Sequence, residues 1–159
     1  MKSFLFEYFL VLAMGQVRDI MIRNVITIEH DKTAKDVALL LAEKEISSLV
    51  VFKDGTPIGL VTERDLARKI STSDRKSVDV PLSEIMSHNF RWVEPMTPIE
   101  DAVQQMINKN IRRLLVLENG KLVGIITETD LAKYLRSKLL IDGALEDTTA
   151  LNRKVIKSG

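Results

Sequence analysis

The chain is 159 residues long, 45% hydrophobic and 28% charged, a globular composition with room for one compact domain or two very small ones and no large multidomain enzyme. Lys and Arg number 23 against 22 Asp and Glu, a formal charge of +1, so no global field invites nucleic acid and any polyanion must be met locally. Cysteine is absent and histidine occurs twice, as His30 and His88, which removes disulfides, thiolate metal sites and a thiol nucleophile, leaves almost no imidazole for a metal centre, and fits a cytoplasmic setting.

Residues 1–16 form a hydrophobic N-terminal segment whose apolar run, MKSFLFEYFLVLAM, is shorter than the roughly 18 to 20 residues that cross a bilayer. A membrane span is therefore not expected, and Glu7 interrupts the run as a secretory signal. Two readings stay open: a helix that packs on the body or on a partner subunit, and translation that starts at Met14. Next comes a short β-branched strand, NVITI, and then Thr33 to Lys44, where Ala34, Val37, Ala38 and Leu41 fall at helical spacing. SLVVF and IGLVT are apolar strands on either side of Lys53-Asp54-Gly55-Thr56-Pro57, whose Asp-Gly signals a hairpin. Thr62-Glu63-Arg64-Asp65 then opens a helix. Residues 71–81, STSDRKSVDVP, are polar, end in Pro81 and read as a linker.

After the linker the pattern returns. Residues 17–70 lie over residues 82–135 without a gap: Met21 matches Met86, Gly59 matches Gly124, Thr62 matches Thr127 and Asp65 matches Asp130, each 65 residues on. Two copies of this length predict an α+β fold of two tandem β-α-β-β-α units, 17–70 and 82–137, each with a short lead-in helix, related by a pseudo-twofold that buries one shared face. Residues 138–159 read as a tail.

The doubled unit, with Gly-h-h-Thr-x-x-Asp (h apolar) closing each hairpin, resembles the CBS domain, named from cystathionine β-synthase, and looks like a stand-alone CBS pair over roughly residues 17–137. The resemblance implies a regulatory module, not an enzyme, that binds an adenine nucleotide (AMP, ADP or ATP) or S-adenosylmethionine in clefts between the units. It also implies a homodimer acting on an unidentified partner.

In physical terms a helix start offers unpaired N–H groups and a positive dipole end to phosphate. Thr62 and Thr127 stand at such starts, and Asp65 and Asp130 can each accept both hydroxyls of a ribose diol. The competing reading is a capping box, in which Thr and the acid satisfy only backbone donors. Gly59 and Gly124, inside strands, mark a close approach either of a ligand or of the neighbouring unit. The resemblance ranks the cleft holding Asp130 first, because Thr129 precedes the acid where the first copy has Arg64. It lines that cleft with Met21, Asn24, Val25, Ile26, Ile46, Ser47 and Ser48, with Met21 and Ile26 sandwiching adenine; plain core is the alternative for both. Arg112 and Arg113 stand where the family meets phosphates; otherwise they edge the solvent or pair with Glu63 or Glu128. The second cleft, around Thr62 and Asp65, takes Met86, Asn89 and Arg91, and Arg91 in place of Ile26 argues against adenine there.

The remaining features carry little chemistry. Glu29-His30-Asp31 follows a strand at a turn and is not expected to hold a metal, and Trp92 is expected to be packing. Lys121, Lys133, Arg136 and Lys138 are a weak nucleic-acid signal, and no G-x-x-x-x-G-K-[ST] loop for nucleotide hydrolysis occurs. A ligand-free dimerisation module and a nucleic-acid-binding regulator are the rival functions.

Overall fold

The structure is a computed structural model in which residues 15–140 are described; the expectations for residues 1–14 and 141–159 lie outside the described residues. In chain order come α1 (Val17–Ile20), β1 (Thr27–Glu29), α2 (Ala34–Lys44), β2 (Ser48–Lys53), β3 (Thr56–Thr62), α3 (Glu63–Ile70) and a 3-10 turn (Ser77–Asp79). Then follow α4 (Leu82–Ile85), β4 (Trp92–Val93), α5 (Ile99–Lys109), β5 (Arg113–Glu118), β6 (Lys121–Thr127) and α6, residues 128–140. α1 returns as α4, α2 as α5, β2 as β5 and β3 as β6, residue for residue at the 65-residue offset.

Two three-stranded sheets result, ordered β1-β2-β3 and β4-β5-β6. β1 runs parallel to β2, with Thr27 opposite Val50, and β2 antiparallel to β3, with Ser48 opposite Thr62; β4 is parallel to β5, with Trp92 opposite Leu115. Both hairpins turn on two consecutive left-handed residues, Asp54-Gly55 at φ 50° and 76° and Asn119-Gly120 at φ 50° and 77°. That geometry matches the twist of the strands and is the reason for Asx-Gly at these places.

The described residues divide into two compact bodies, one of residues 22–93 and 115–125, the other of residues 15–21, 94–114 and 126–140. In the first, Val37 and Leu41 of α2 pack with Leu49, Val51 and Val61 of the sheet and with Leu82 and Ile85 of α4. The opposite face of the same sheet makes a second core of Val50, Leu60, Leu115 and Ile125. Alternation along β2 explains the division, since successive side chains point to opposite faces and both faces are covered. The four residues of the second core are two pairs at the repeat offset, Val50 with Leu115 and Leu60 with Ile125.

Backbone ties accompany that core. Ile22 and Ile125 exchange two hydrogen bonds of 2.9 and 3.0 Å, and Leu60 and Ser87 exchange two of 2.9 and 2.8 Å. The stretch leading into each copy is therefore bonded to the last strand of the other. Gly59 shows what this requires: a Cβ there would stand 2.5 Å from Met86 Cε and 2.7 Å from the Ser87 carbonyl oxygen. Of the two readings of Gly59, close approach by the neighbouring copy is the one the structure bears out.

Residues 71–81 are less detached than their polarity suggests. Val80 is buried, its carbonyl accepts from Ala34 N–H at 2.8 Å, and Arg75 Nη1 meets Glu84 Oε2 at 2.8 Å. Trp92 departs from expectation in the other direction: it is 51% exposed. β4 is an edge strand of two residues, so period-2 alternation buries Val93 and turns its neighbour outward. In the second body Val17, Ile99, Ala102, Met106, Ile126 and Leu131 are buried, and α1 is tied to the α5 approach by Val17 N–H to the Thr97 carbonyl at 2.9 Å.

Gly59→Ala is expected to lower stability by about 1–3 kcal/mol in urea unfolding, because the Ser87 carbonyl is backbone and cannot rotate away. A full-strength variant would show the contact to be loose.

Candidate functional site

Thr62 and Thr127 each end the second strand of a hairpin and cap the helix that follows. Thr62 N–H and Oγ1 donate to Asp65 Oδ2 at 2.8 and 2.7 Å, and Asp65 N–H returns to Thr62 Oγ1 at 3.2 Å. In the second copy the same three bonds join Thr127 and Asp130 at 2.9, 2.6 and 3.3 Å. The extended backbone of Thr62, φ −126° and ψ 164°, points its hydroxyl back over the first turn, which is the requirement of a capping box. Every one of these bonds to the carboxylates falls on Oδ2; Oδ1 takes part in none. Both acids are half-buried.

A third box of the same design sits at the start of α2, where Thr33 N–H and Oγ1 donate to Asp36 Oδ2 at 2.9 and 2.8 Å. Thr33-x-x-Asp36 repeats the spacing of the other two and was legible, yet it stands on no Gly-h-h hairpin. The Thr33 N–H, then its hydroxyl, and then Lys32 and Lys35 hold the Asp36 carboxyl below its ordinary value by favouring the charged form.

The second body holds Met21, Arg112, Arg113, Thr127, Thr129 and Asp130. Met21 is buried at the end of α1, and Arg113 opens β5 half-buried. Thr129 is exposed on the first turn of α6. Arg112 is joined to the α6 start twice: its carbonyl accepts from Glu128 N–H at 3.0 Å, and its Nε lies 3.7 Å from Glu128 Oε1. Both side chains are well exposed, 62% and 59%. The pair stands at a groove of about 560 Å³ whose walls include Val103, Ile107, Leu131 and Leu135.

The first body holds Asn24, Val25, Ile26, Ile46, Ser47 and Ser48 together with Thr62, Asp65, Met86, Asn89 and Arg91. Ser47, which the resemblance assigns to the Asp130 cleft, is held at the Thr62 cap, its carbonyl accepting from Glu63 N–H at 3.1 Å. Ser47 and Arg112 are thus the same position in the two copies. Ile26 and Ile46 pack partly against the first core and Val25 against the second, while Asn24 is exposed. The Ile26 carbonyl already accepts from Val50 N–H at 3.3 Å. Arg91 takes the same backbone role, its carbonyl accepting from Leu115 N–H at 3.0 Å, with its side chain exposed, as is that of Asn89. Met86 is buried against Gly59. Among the described residues no three acidic or imidazole side chains gather where a metal ion could be held, and no helix is long and apolar enough to cross a membrane.

Residues 17–72 and 82–137 match the family model of the CBS domain, and the chain belongs to that family as a tandem pair. It is 33% identical over 139 residues to the CBS domain-containing protein YhcV of Bacillus subtilis, covering 87% of this chain and 99% of that one. It is 39% identical over 111 residues to the uncharacterised protein MK0525 of Methanopyrus kandleri, 69% of this chain and 57% of that one. A homoserine O-acetyltransferase of Methanohalobium evestigatum is 32% identical over 121 residues, 75% of this chain and 24% of the transferase. The chain thus spans little more than half of the first relative's Methanopyrus sequence and a quarter of the transferase. Among solved structures, the CBS domain NE2398 superposes with a TM-score of 0.70 at 29% identity, covering 76% of this chain and 97% of that one. The CBS domain pair of MJ0100, solved with 5-methylthioadenosine and S-adenosylmethionine, has a TM-score of 0.70 at 23% identity, covering 78% and 98%, a likeness of fold.

Removing the Thr127 hydroxyl leaves α6 with an orphan donor, so Thr127→Ala is expected to cost about 1 kcal/mol in urea unfolding while Thr127→Ser costs a few tenths at most. For Asp36, the carboxyl resonance should titrate with a midpoint below that of unfolded aspartate, and Thr33→Val should move it part of the way back. Since the folded value is the lower one, the α2 box contributes stability above the unfolded pKa and loses it as pH falls through the folded pKa.

Proposed function

We propose that this CBS pair is a non-catalytic regulatory module that binds an adenine nucleotide, AMP, ADP or ATP, at the start of α6 and acts in the cytoplasm as an energy or metabolite sensor. The observation that carries the reading is the carboxylate of Asp130, which closes the helix cap with Oδ2 alone and keeps Oδ1 for a ribose hydroxyl. Thr127 and Thr129 bring hydroxyls to the same turn. Of the residues that the resemblance assigns to this cleft, Met21 lies in the same body as Asp130 and offers adenine an apolar surface. Arg112 and Arg113 meet the phosphates. The cleft at Thr62 and Asp65, with Met86, Asn89 and Arg91, is the poorer host, since Arg91 brings a guanidinium where adenine needs an apolar surface.

Two solved relatives lend support. The MJ0100 pair carries two adenosine-containing molecules, which keeps S-adenosylmethionine among the candidate ligands, and a CBS-CP12 protein from bloom-forming cyanobacteria, 30% identical, is hexameric. We take this chain to be a homodimer whose regulated partner is a separate protein. Occupancy is transmitted to that partner by differential affinity for two states of the module. The transferase chemistry of the Methanohalobium relative does not enter the reading, since three quarters of that protein lies outside the match.

A second reading has a specific observation in its favour. The Thr33–Asp36 box has the same bonds as the other two with no Gly-rich hairpin before it, so a ligand-free dimerisation module with capped helices is the competitor. Calorimetric titration with AMP, ADP, ATP and S-adenosylmethionine separates the two. Micromolar binding, about −8 kcal/mol, that survives Asp65→Ala and is lost in Asp130→Ala is the expected result. Absence of heat from all four ligands overturns it in favour of the capped module.

A further inference from the structure

Arg112, of the proposed phosphate-binding pair, has Glu128 as an ion partner, its Nε 3.7 Å from Glu128 Oε1. The two residues are also joined through the backbone, Glu128 N–H to the Arg112 carbonyl at 3.0 Å, so the carboxylate springs from a backbone position beside its arginine. In the first copy the backbone bond is repeated, Glu63 N–H to the Ser47 carbonyl at 3.1 Å, but position 47 is a serine and Glu63 has no guanidinium there to engage. The acid is thus present in both copies, bonded through its backbone to an arginine in the second and to a serine in the first.

We infer that Glu128 is a specificity-determining residue: a resident counter-ion that a polyphosphate must displace from Arg112 and that an uncharged nucleoside leaves in place. The inference rests on the nucleotide reading of the α6 start. Its physical basis is competition for one guanidinium. With both side chains about 60% exposed, the pair is weak and screened, so displacement by a polyphosphate is feasible. The freed carboxylate then lies beside the incoming negative charge, and like-charge repulsion is added to the lost pair. Both effects scale with the charge of the ligand and vanish for adenosine. Glu128 therefore compresses the preference for ATP over AMP and adenosine that two arginines would otherwise create, and it allows ligands of different phosphate number to compete.

The test is calorimetric titration of adenosine, AMP and ATP into the full chain and into Glu128→Gln, with Glu128→Ser as a second variant and Glu63→Gln as the control in the other copy. The expected result is a gain of about two- to fivefold in ATP affinity, a smaller gain for AMP and none for adenosine in both Glu128 variants, with Glu63→Gln unchanged. In an Arg112→Ala background the gain from Glu128→Gln should shrink by at least half, the signature of coupling between the two residues. An ATP to adenosine affinity ratio that stays the same in both Glu128 variants, or a gain of equal size without Arg112, overturns the inference while leaving the nucleotide site standing. If none of the three ligands binds the unaltered chain, the nucleotide reading falls and this inference with it.

Discussion

The arrangement depends on a small apolar contact with internal symmetry: Val50 and Leu60 against Leu115 and Ile125, buried together on one face of the first sheet. Each copy contributes a residue from both strands of its hairpin, at matching positions. A three-stranded sheet with α2 on one face still has its other face to cover, and in a chain this short the economical cover is the equivalent face of the second hairpin. The backbone bonds at Ile22 to Ile125 and at Leu60 to Ser87 follow from that choice. They bring the residues leading into one copy to the last strand of the other, within two positions of the threonine that caps the next helix. The approach also leaves no room for a Cβ at residue 59, so a glycine inside a strand, which weakens strands in general, is here the condition of the contact.

Much of this was legible because it depends on local chemistry repeated at a fixed distance. Asp54-Gly55 and Asn119-Gly120 announce their turns, β-branched runs flank them, and the gapless register carries each element of the first copy onto the second. What was not legible depends on contacts without periodicity. Single bridges such as Leu60 to Ser87 leave no pattern in composition, and Gly59 could not disclose whether its neighbour was a ligand or Met86. Trp92 is large and apolar, and only its place on a two-residue edge strand explains why it faces solvent. Residues 71–81 are polar in aggregate, yet one of them, Val80, reaches the core and its carbonyl caps a donor of α2.

The candidate site divides along the same line. Thr-x-x-Asp was read twice and occurs a third time at Thr33, and in all three places the threonine and the acid bond each other in the same way. The motif by itself therefore specifies a helix start; what distinguishes the second copy is the surroundings of the box. Arg112 occupies the position of Ser47, Thr129 that of Arg64 and Ile26 that of Arg91, so the two helix starts have equivalent backbones and unlike side chains. The backbone of Ser47 is bonded at the first copy's own cap, as that of Arg112 is at the second's.

The crossed lead-ins have a genealogical consequence. Because each copy is completed by a stretch that precedes the other, one copy alone is half of a symmetric unit, and two separate identical chains would have to interlace to rebuild it. Joining them through residues 71–81 makes that encounter intramolecular and independent of concentration. It also ends the obligation of the halves to be alike: in a dimer of single copies every substitution appears twice, whereas here an arginine can be placed at position 91 without one at 26, or at 112 without one at 47. Fusion is what permits a symmetric scaffold to carry two unlike helix starts.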